Sequence, residues 1–206
     1  QYSICEGAIK IENLKEYCKK NKIQSVGLCD TYNLSGALEF SENISSVGTQ
    51  PIIGSQIQFR FKNTYGLIPL IAKNYVGYKN IIELSSKAYL EITDTDEPHC
   101  LIDDLLKYSE GIIVLSGAVT NLIGNIFNKG LFGELDELIM ILNKNFQDNF
   151  YIEIQRHGDN NEKEFEINNL NLSKKYEIPI IATNEVYYLD KEMHEAHDAL
   201  MCIGHK

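Results

Sequence analysis

Polar side chains collect where the apolar segments of this sequence end. Asp30 follows one apolar run, Gln155 and His157 follow a second, and Asn184 and Glu185 follow a third. Barrels and open α/β sheets both build their sites at such strand ends. Two carboxylates and one imidazole could hold a single cation weakly. They are too few for a hydrolytic centre in which cations about 3.5–4 Å apart activate water.

A second set of candidate residues lies near the end of the chain. His194 and His197 are three residues apart, so they could share one face of a helix. They do not form the H-E-x-x-H pattern of a zincin, and we expect them to pack the helix through hydrogen bonds. No serine lies in a G-x-S-x-G turn, and Cys29 on an apolar strand is most simply a core residue.

Strand-like apolar runs alternate with segments of helical periodicity along the chain. The predicted strands are 23–29, 52–61, 67–72, 111–116, 150–154 and 178–183. The predicted helices are 8–21, 34–47, 77–90, 101–106, 119–128, 133–145, 162–176 and 191–203, and the acidic segment 91–97 is a predicted surface loop. This alternation indicates an α/β protein with a parallel sheet, either a closed (β/α) barrel or an open doubly wound sheet.

Composition limits the possible roles. With 206 residues, 44% of them apolar, the chain can bury one core, and we predict a single domain over residues 1–206. The 29 acidic and 19 basic residues give a net charge of −10. Because DNA phosphates are bound through Lys and Arg, this charge argues against DNA binding as the main role. Five cysteines without C-x-x-C spacing predict reduced thiols in a cytoplasmic protein, and no apolar run approaches the roughly 20 residues that cross a membrane.

Residues 27–40 read GLCDTYNLSGALEF: a buried strand, a turn carrying an acid, and the start of an amphipathic helix. This segment resembles the second motif of the PHP domain (polymerase and histidinol phosphatase) family. Other segments are similar to later or earlier parts of that family in the same order: 2–8, 51–54, 70–80, 110–117, 151–158, 180–186 and 194–203. The resemblance implies a distorted (β/α)7 PHP barrel, whose first strand and histidine pair would precede Gln1.

The resemblance also assigns metal-ligand positions, and most of them carry unsuitable side chains here. The positions that have lost the family's ligand are Thr31, Gln56, Leu67, Ala118 and Tyr187. Asp30 and Glu185 remain as vestigial candidates, with His157 near them, although we favour a structural role for His157. We therefore expect no functional metal site, no cofactor and no catalytic residue in this chain.

Residues 70–80 are similar to a signature of the family branch that begins bacterial replicative DNA polymerase III alpha subunits. This implies an N-terminal domain of a longer DNA-directed DNA polymerase, which holds magnesium in a separate palm domain and contacts DNA through other domains. The implied partners are the rest of the polymerase chain and a proofreading exonuclease subunit, with no membrane. Two alternatives stay open: an active PHP phosphoesterase or 3′–5′ exonuclease, and an unrelated α/β barrel enzyme acting on a small anion.

Overall fold

Helices and strands alternate along the residues that the computed structural model describes, which are 2–3, 6–91 and 97–204. The strands are β1 Ser25–Thr31, β2 Gln50–Phe61, β3 Thr64–Ala72, β4 Cys100–Leu101, β5 Ile112–Leu115, β6 Phe150–Ile154 and β7 Ile180–Ala182. The helices are α1 Ile11–Asn21, α2 Ala37–Ser45, α3 Tyr75–Leu90, α4 Ile102–Lys107, α5 Leu122–Asn128, α6 Phe132–Phe146, α7 Glu162–Tyr176 and α8 His194–Gly204. Short 3-10 turns, Gln147–Asn149 and Lys191–Met193, precede β6 and α8.

The chain divides into two units, Gln1–Ser55 with Glu185–Lys206, and Gln56–Asn184. In the first unit, α1 and α2 pack their apolar faces together around Ile11, Cys18, Phe40 and Ile44, all of them buried. Burial of each such side chain contributes about 1.5–3 kcal/mol relative to exposure. This packing fixes α1 and α2 beside β1, the strand that ends at the acid of the second motif.

Hydrogen bonds align β1 with the start of β2 inside the first unit. The Gln50 N–H donates to the carbonyl of Gln24 at 2.9 Å, and the Ser55 hydroxyl donates to the carbonyl of Asp30, also at 2.9 Å. Residue numbers rise together along both segments, so the two run in the same direction. The parallel arrangement brings Asp30 to the end of β1 beside Ser55.

The second unit is built on a mixed sheet, whereas the sequence predicted a parallel one. Neighbouring strands follow the order β2, β3, β5, β6, β7, with β4 parallel to β2. Only Lys62 and Asn63 separate β2 from β3, and so short a link can join only antiparallel neighbours. β3 pairs with β5 in antiparallel register, and β5, β6 and β7 are parallel. Because of this hairpin, β3 runs antiparallel to its neighbours β2 and β5.

Most predicted elements are observed with shifts of a few residues at their ends. Helix α7 has the predicted bounds, and α3 begins two residues earlier than predicted because the Asn74 side chain caps it by accepting from the Gly77 N–H at 3.0 Å. The predicted loop 91–97 lies mostly outside the described residues. None of the described helices is long and apolar enough to cross a membrane.

Close approach of α3 to the turn before β5 depends on glycine. A Cβ atom on Gly77 would lie 1.8 Å from the carbonyl oxygen of Gly111. We expect Gly77→Ala to lower the free energy of unfolding by about 1–3 kcal/mol, because the backbone of Gly111 would have to move. Urea denaturation followed by circular dichroism measures the change.

Gly133 in α6 is the matched control, since a Cβ atom there meets no other atom within 4 Å. Gly133→Ala should be neutral or stabilising by up to about 1 kcal/mol, because alanine favours a helix. Equal effects of the two substitutions would contradict the close packing of α3.

Candidate functional site

The acid of the second motif lies in a small polar cluster of the first unit, which we call the Asp30 cluster: Ser3, Glu6, Asp30, Thr31 and Asn33. Asp30 is only 5% exposed. The Ser3 hydroxyl donates to Asp30 Oδ1 at 2.7 Å, and the Thr31 N–H donates to that hydroxyl oxygen at 3.2 Å. Asp30 Oδ2 is buried and accepts no hydrogen bond from the described residues.

Thr31, which the resemblance places at the family's histidine position, uses its hydroxyl in a hydrogen bond. It donates to Glu6 Oε2 at 2.8 Å. The amide of Asn33 donates to the carbonyls of Tyr2 and Thr31, each at 3.0 Å. Hydrogen bonds therefore join Tyr2, Ser3 and Glu6 to the residues at the end of β1.

The histidines of α8 contact aromatic rings. His197 Nε2 lies 2.7 Å from the carbonyl oxygen of Glu6, and its ring stacks on Tyr187 with centroids 5.5 Å apart. His194 meets Tyr188 edge to face at 6.1 Å. Tyr187, a predicted lost ligand position, therefore packs against α8 through the ring of His197.

The other positions that the resemblance assigns to metal ligands lie in the second unit, apart from Glu185, which is half-buried in the first. Gln56 Oε1 accepts from the Asn121 amide at 3.4 Å, and Leu67 and Ala118 are partly buried without any donor atom in their side chains. His157 is exposed, and its backbone N–H donates to Glu162 Oε1 at 2.6 Å. This hydrogen bond is the main reason that the pKa of Glu162 falls below its ordinary value.

Sequence reasoning missed Glu153 on β6, a buried polar residue of the second unit with several hydrogen-bond partners. Its side chain is buried, at 4% exposure. Glu153 Oε2 accepts from the Gly117 N–H at 3.1 Å, and Oε1 accepts from the Gln155 amide at 3.1 Å and from the Thr183 hydroxyl. One carboxylate therefore joins the ends of β5, β6 and β7.

The backbone of Glu153 makes further hydrogen bonds. We call Glu153 and its hydrogen-bond partners the Glu153 hub. The Ser116 hydroxyl, fully buried, accepts from the Glu153 N–H at 2.8 Å, and the Asn169 amide of α7 donates to the Glu153 carbonyl at 3.2 Å. The only sequence signal is a charged residue inside the apolar strand FYIEI, and nothing in its spacing identifies the partners.

The donor set does not fit the polynuclear metal centre that the family implies. Leu67 and Ala118 cannot coordinate, and the Thr31 hydroxyl is bound to Glu6. Among the described residues, no three or more His, Cys, Asp and Glu side chains are grouped as such a centre requires. Asp30 keeps one oxygen that could meet a cation, but Glu6 and Thr31 in the same cluster are bonded to each other. The absence of a functional metal stays a prediction.

Two solved structures share the fold of this chain, which confirms the predicted α/β architecture. A structure described as a metal-dependent phosphoesterase from Bifidobacterium adolescentis aligns with TM-score 0.55 at 11% identity, covering 95% of this chain and 92% of the other. An amidohydrolase from Chromobacterium violaceum aligns with TM-score 0.53 at 8% identity, covering 95% and 93%. Likeness at such low identity shows the fold alone.

The chain belongs to the PHP domain family, whose sequence profile matches residues 1–157. It is also similar to DNA polymerase III subunit alpha of Caulobacter vibrioides, at 36% identity over 98% of this chain and 18% of that protein. The same subunit of Rickettsia felis is 35% identical over 98% of this chain and 17% of its own length. The chain thus spans less than a fifth of the curated relatives it matches.

Loss of charge at the Glu153 hub should destabilise the second unit. In Glu153→Gln the new amide NH2 must face the Gly117 N–H or the Gln155 amide, and a buried unpaired donor costs about 1–3 kcal/mol. We expect the free energy of unfolding to fall by about 2 kcal/mol or more, measured by urea denaturation.

Glu137→Gln makes the same chemical change at a carboxylate that is 50% exposed and paired with Lys62. Its cost should stay below about 1 kcal/mol, because surface ion pairs contribute little. If Glu153→Gln lowers the free energy of unfolding no more than Glu137→Gln does, the Glu153 hub does not contribute more to stability than a surface ion pair.

Proposed function

We propose that this chain is the PHP domain of a replicative DNA polymerase III alpha subunit. The similarity to alpha subunits of several bacteria, at 31–36% identity along 98% of the chain, is the observation that carries the proposal. In this proposal the whole protein is a cytoplasmic DNA-directed DNA polymerase, with magnesium in a palm domain outside these residues. The present domain contributes structure and a protein contact surface.

We propose further that the domain itself is catalytically silent. Leu67 and Ala118 lack donor atoms, Gln56 has no charge, and Thr31 is bonded to Glu6. A two-metal mechanism needs clustered anionic ligands to hold its cations and lower the pKa of bound water. The net charge of −10 also supports DNA contacts through other domains.

The partner we propose for the contact surface is the proofreading exonuclease subunit. Helix α3 offers an apolar face for it: Tyr75 is 69% exposed, Tyr89 51% and Leu90 82%. Aromatic side chains, tyrosine among them, are enriched at protein interfaces. A polymerase domain without hydrolytic ligands accords with proofreading by a separate subunit.

An active metal-dependent phosphoesterase or 3′–5′ exonuclease is the second candidate, and one observation favours it. Asp30 Oδ2 is a buried anionic oxygen that no described residue satisfies, and a cation could do so. The solved neighbour from Bifidobacterium adolescentis is described as a metal-dependent phosphoesterase. The two candidates differ in the effect on metal-dependent hydrolysis that they predict for a substitution of Asp30.

In a silent domain, Asp30→Asn should keep the free energy of unfolding within about 1 kcal/mol, because an uncharged amide is less costly to bury than an unpartnered carboxylate oxygen. Hydrolysis of a phosphate ester with added Mn²⁺ or Zn²⁺ should equal the metal-only background in both variants. The assay uses the full-length polymerase chain, with its DNA synthesis measured in parallel. Metal-dependent turnover that Asp30→Asn abolishes, together with stoichiometric bound metal, would establish the second candidate.

Docking is tested by titrating the purified exonuclease subunit into the full-length polymerase chain. We expect a Kd of about 10 µM or tighter, weakened at least tenfold by Tyr89→Lys with Leu90→Lys. Met140→Lys on α6, at a position 54% exposed, is the control and should leave the Kd unchanged. No binding at tens of micromolar would refute docking, and equal weakening by both variants would refute the α3 face.

A further inference from the structure

An arginine on β2 has no acidic partner among the described residues. Arg60 and Arg156 are the two arginines of this chain. Arg156 binds the carboxylate of Glu166 through hydrogen bonds of 2.9 and 2.7 Å. Arg60 is half-buried and forms no ion pair with any carboxylate that the structure describes. Its guanidinium is therefore the arginine charge that can meet an anion from another molecule.

Two aromatic side chains hold Arg60 in place, and we call the three residues Arg60, Tyr65 and His99 the Arg60 anchor. Arg60 Nη1 donates to the Tyr65 hydroxyl at 3.3 Å, and Arg60 Cζ lies 5.9 Å from the centre of the Tyr65 ring. The Tyr65 and His99 rings meet edge to face, with centroids 5.1 Å apart. His99 Nδ1 donates to the Glu97 carbonyl at 2.8 Å, because a carbonyl oxygen can only accept. The guanidinium is thus positioned before a partner binds.

Hydrogen-bond donors of the Arg60 anchor remain available for a ligand. A guanidinium has several N–H donors, and in Arg60 the structure shows one of its nitrogens, Nη1, donating to Tyr65. The Tyr65 hydroxyl accepts that bond, so its own proton is available to donate. The nearby Glu97 carboxylate accepts instead from the Gln58 amide at 3.2 Å. A carboxylate matches this donor set, because its two oxygens can accept parallel N–H bonds from one guanidinium.

The Arg60 anchor lies beside the C-terminal end of the α3 face. The His99 N–H donates to the carbonyl of Ala88 in α3 at 3.1 Å. Ala88 directly precedes Tyr89 and Leu90, the two most C-terminal residues of that face. The apolar face and the cationic anchor are therefore neighbours on the surface of the second unit.

We propose that the Arg60 anchor binds the carboxylate of an Asp or Glu side chain on the exonuclease subunit, at the edge of the α3 face. This inference rests on the proposed docking of that subunit. Charge complementarity supports it, because an anionic group is the partner that offsets desolvation of a guanidinium at an interface. Arginine and tyrosine are also enriched among the residues that dominate binding energy. Leu101, 40% exposed and paired in register with Arg60, offers an apolar contact beside the carboxylate.

Titration of the purified exonuclease subunit into variants of the full-length polymerase chain tests the anchor. We expect Arg60→Gln to weaken the Kd at least about tenfold, because it leaves the partner's carboxylate unpaired. Arg60→Lys keeps the charge but loses the planar fork, and should weaken the Kd about threefold. Arg156→Gln is the matched control: this side chain is 77% exposed, and the Kd should stay within about twofold.

Ionic strength gives a readout that a purely structural role of Arg60 would not change. The wild-type Kd should weaken as NaCl rises from about 0.05 to about 0.3 M, and less so in Arg60→Gln, because salt screens the lost charge pair. Circular dichroism checks that the arginine variants are folded. Tyr65→Phe removes one oxygen atom and should weaken the Kd about threefold, which keeps the inference testable if Arg60→Gln is unfolded.

The outcomes separate this inference from the docking proposal. If the wild-type chain binds and Arg60→Gln binds as tightly, the guanidinium meets no partner carboxylate, and the inference fails while docking stands. If the wild-type chain does not bind at tens of micromolar, both fail. Equal weakening by Arg60→Gln and Arg156→Gln means a general charge effect and overturns the inference. Arg60→Gln that weakens binding of a single-stranded DNA oligonucleotide but not of the exonuclease assigns the anchor to a phosphate, and also overturns it.

Discussion

The second unit depends on the satisfaction of one buried charge, the carboxylate of Glu153. An isolated carboxylate in a protein interior is costly, and hydrogen bonds must offset that cost. The Gly117 N–H, the Gln155 amide and the Thr183 hydroxyl provide them, each from a different segment at the end of the parallel strands. The positions of these segments are thus coupled, because a shift of any one removes a donor from the same carboxylate.

The Asp30 cluster shows the contrasting case of partial satisfaction. One carboxylate oxygen accepts from Ser3 while the other is buried and unbonded within the described part of the chain. Glu6 and Thr31 beside it bond to each other. The hydrogen bonds of this cluster therefore satisfy one oxygen of Asp30 and leave the other without a donor among the described residues.

The sequence predicted local structure well, because local structure depends on periodicity and end signals. The apolar spacing of α7 and the runs of β5 and β6 gave their bounds to within a residue or two. The prediction of a parallel sheet was wrong for β3. The five-residue turn predicted at 62–66 and the observed turn of two residues are both too short for a parallel crossover, so the turn itself indicated a hairpin that the sheet prediction did not include. Glu153 was missed because its partners lie 36 and 30 residues away, and no short motif relates them.

Metal loss and retention of the fold are compatible if protein donors stabilise the carboxylates at the strand ends. Clustered anionic ligands repel one another without a cation, so metal binding and folding are normally coupled in such sites. Here Ser3 donates to Asp30 and Thr31 donates to Glu6. Glu153 accepts from Gly117, Gln155 and Thr183. We therefore expect folding to need no cation at the predicted ligand positions. Such a domain can be kept for its surface and for its connections to the rest of a long polymerase chain, which is the role we propose.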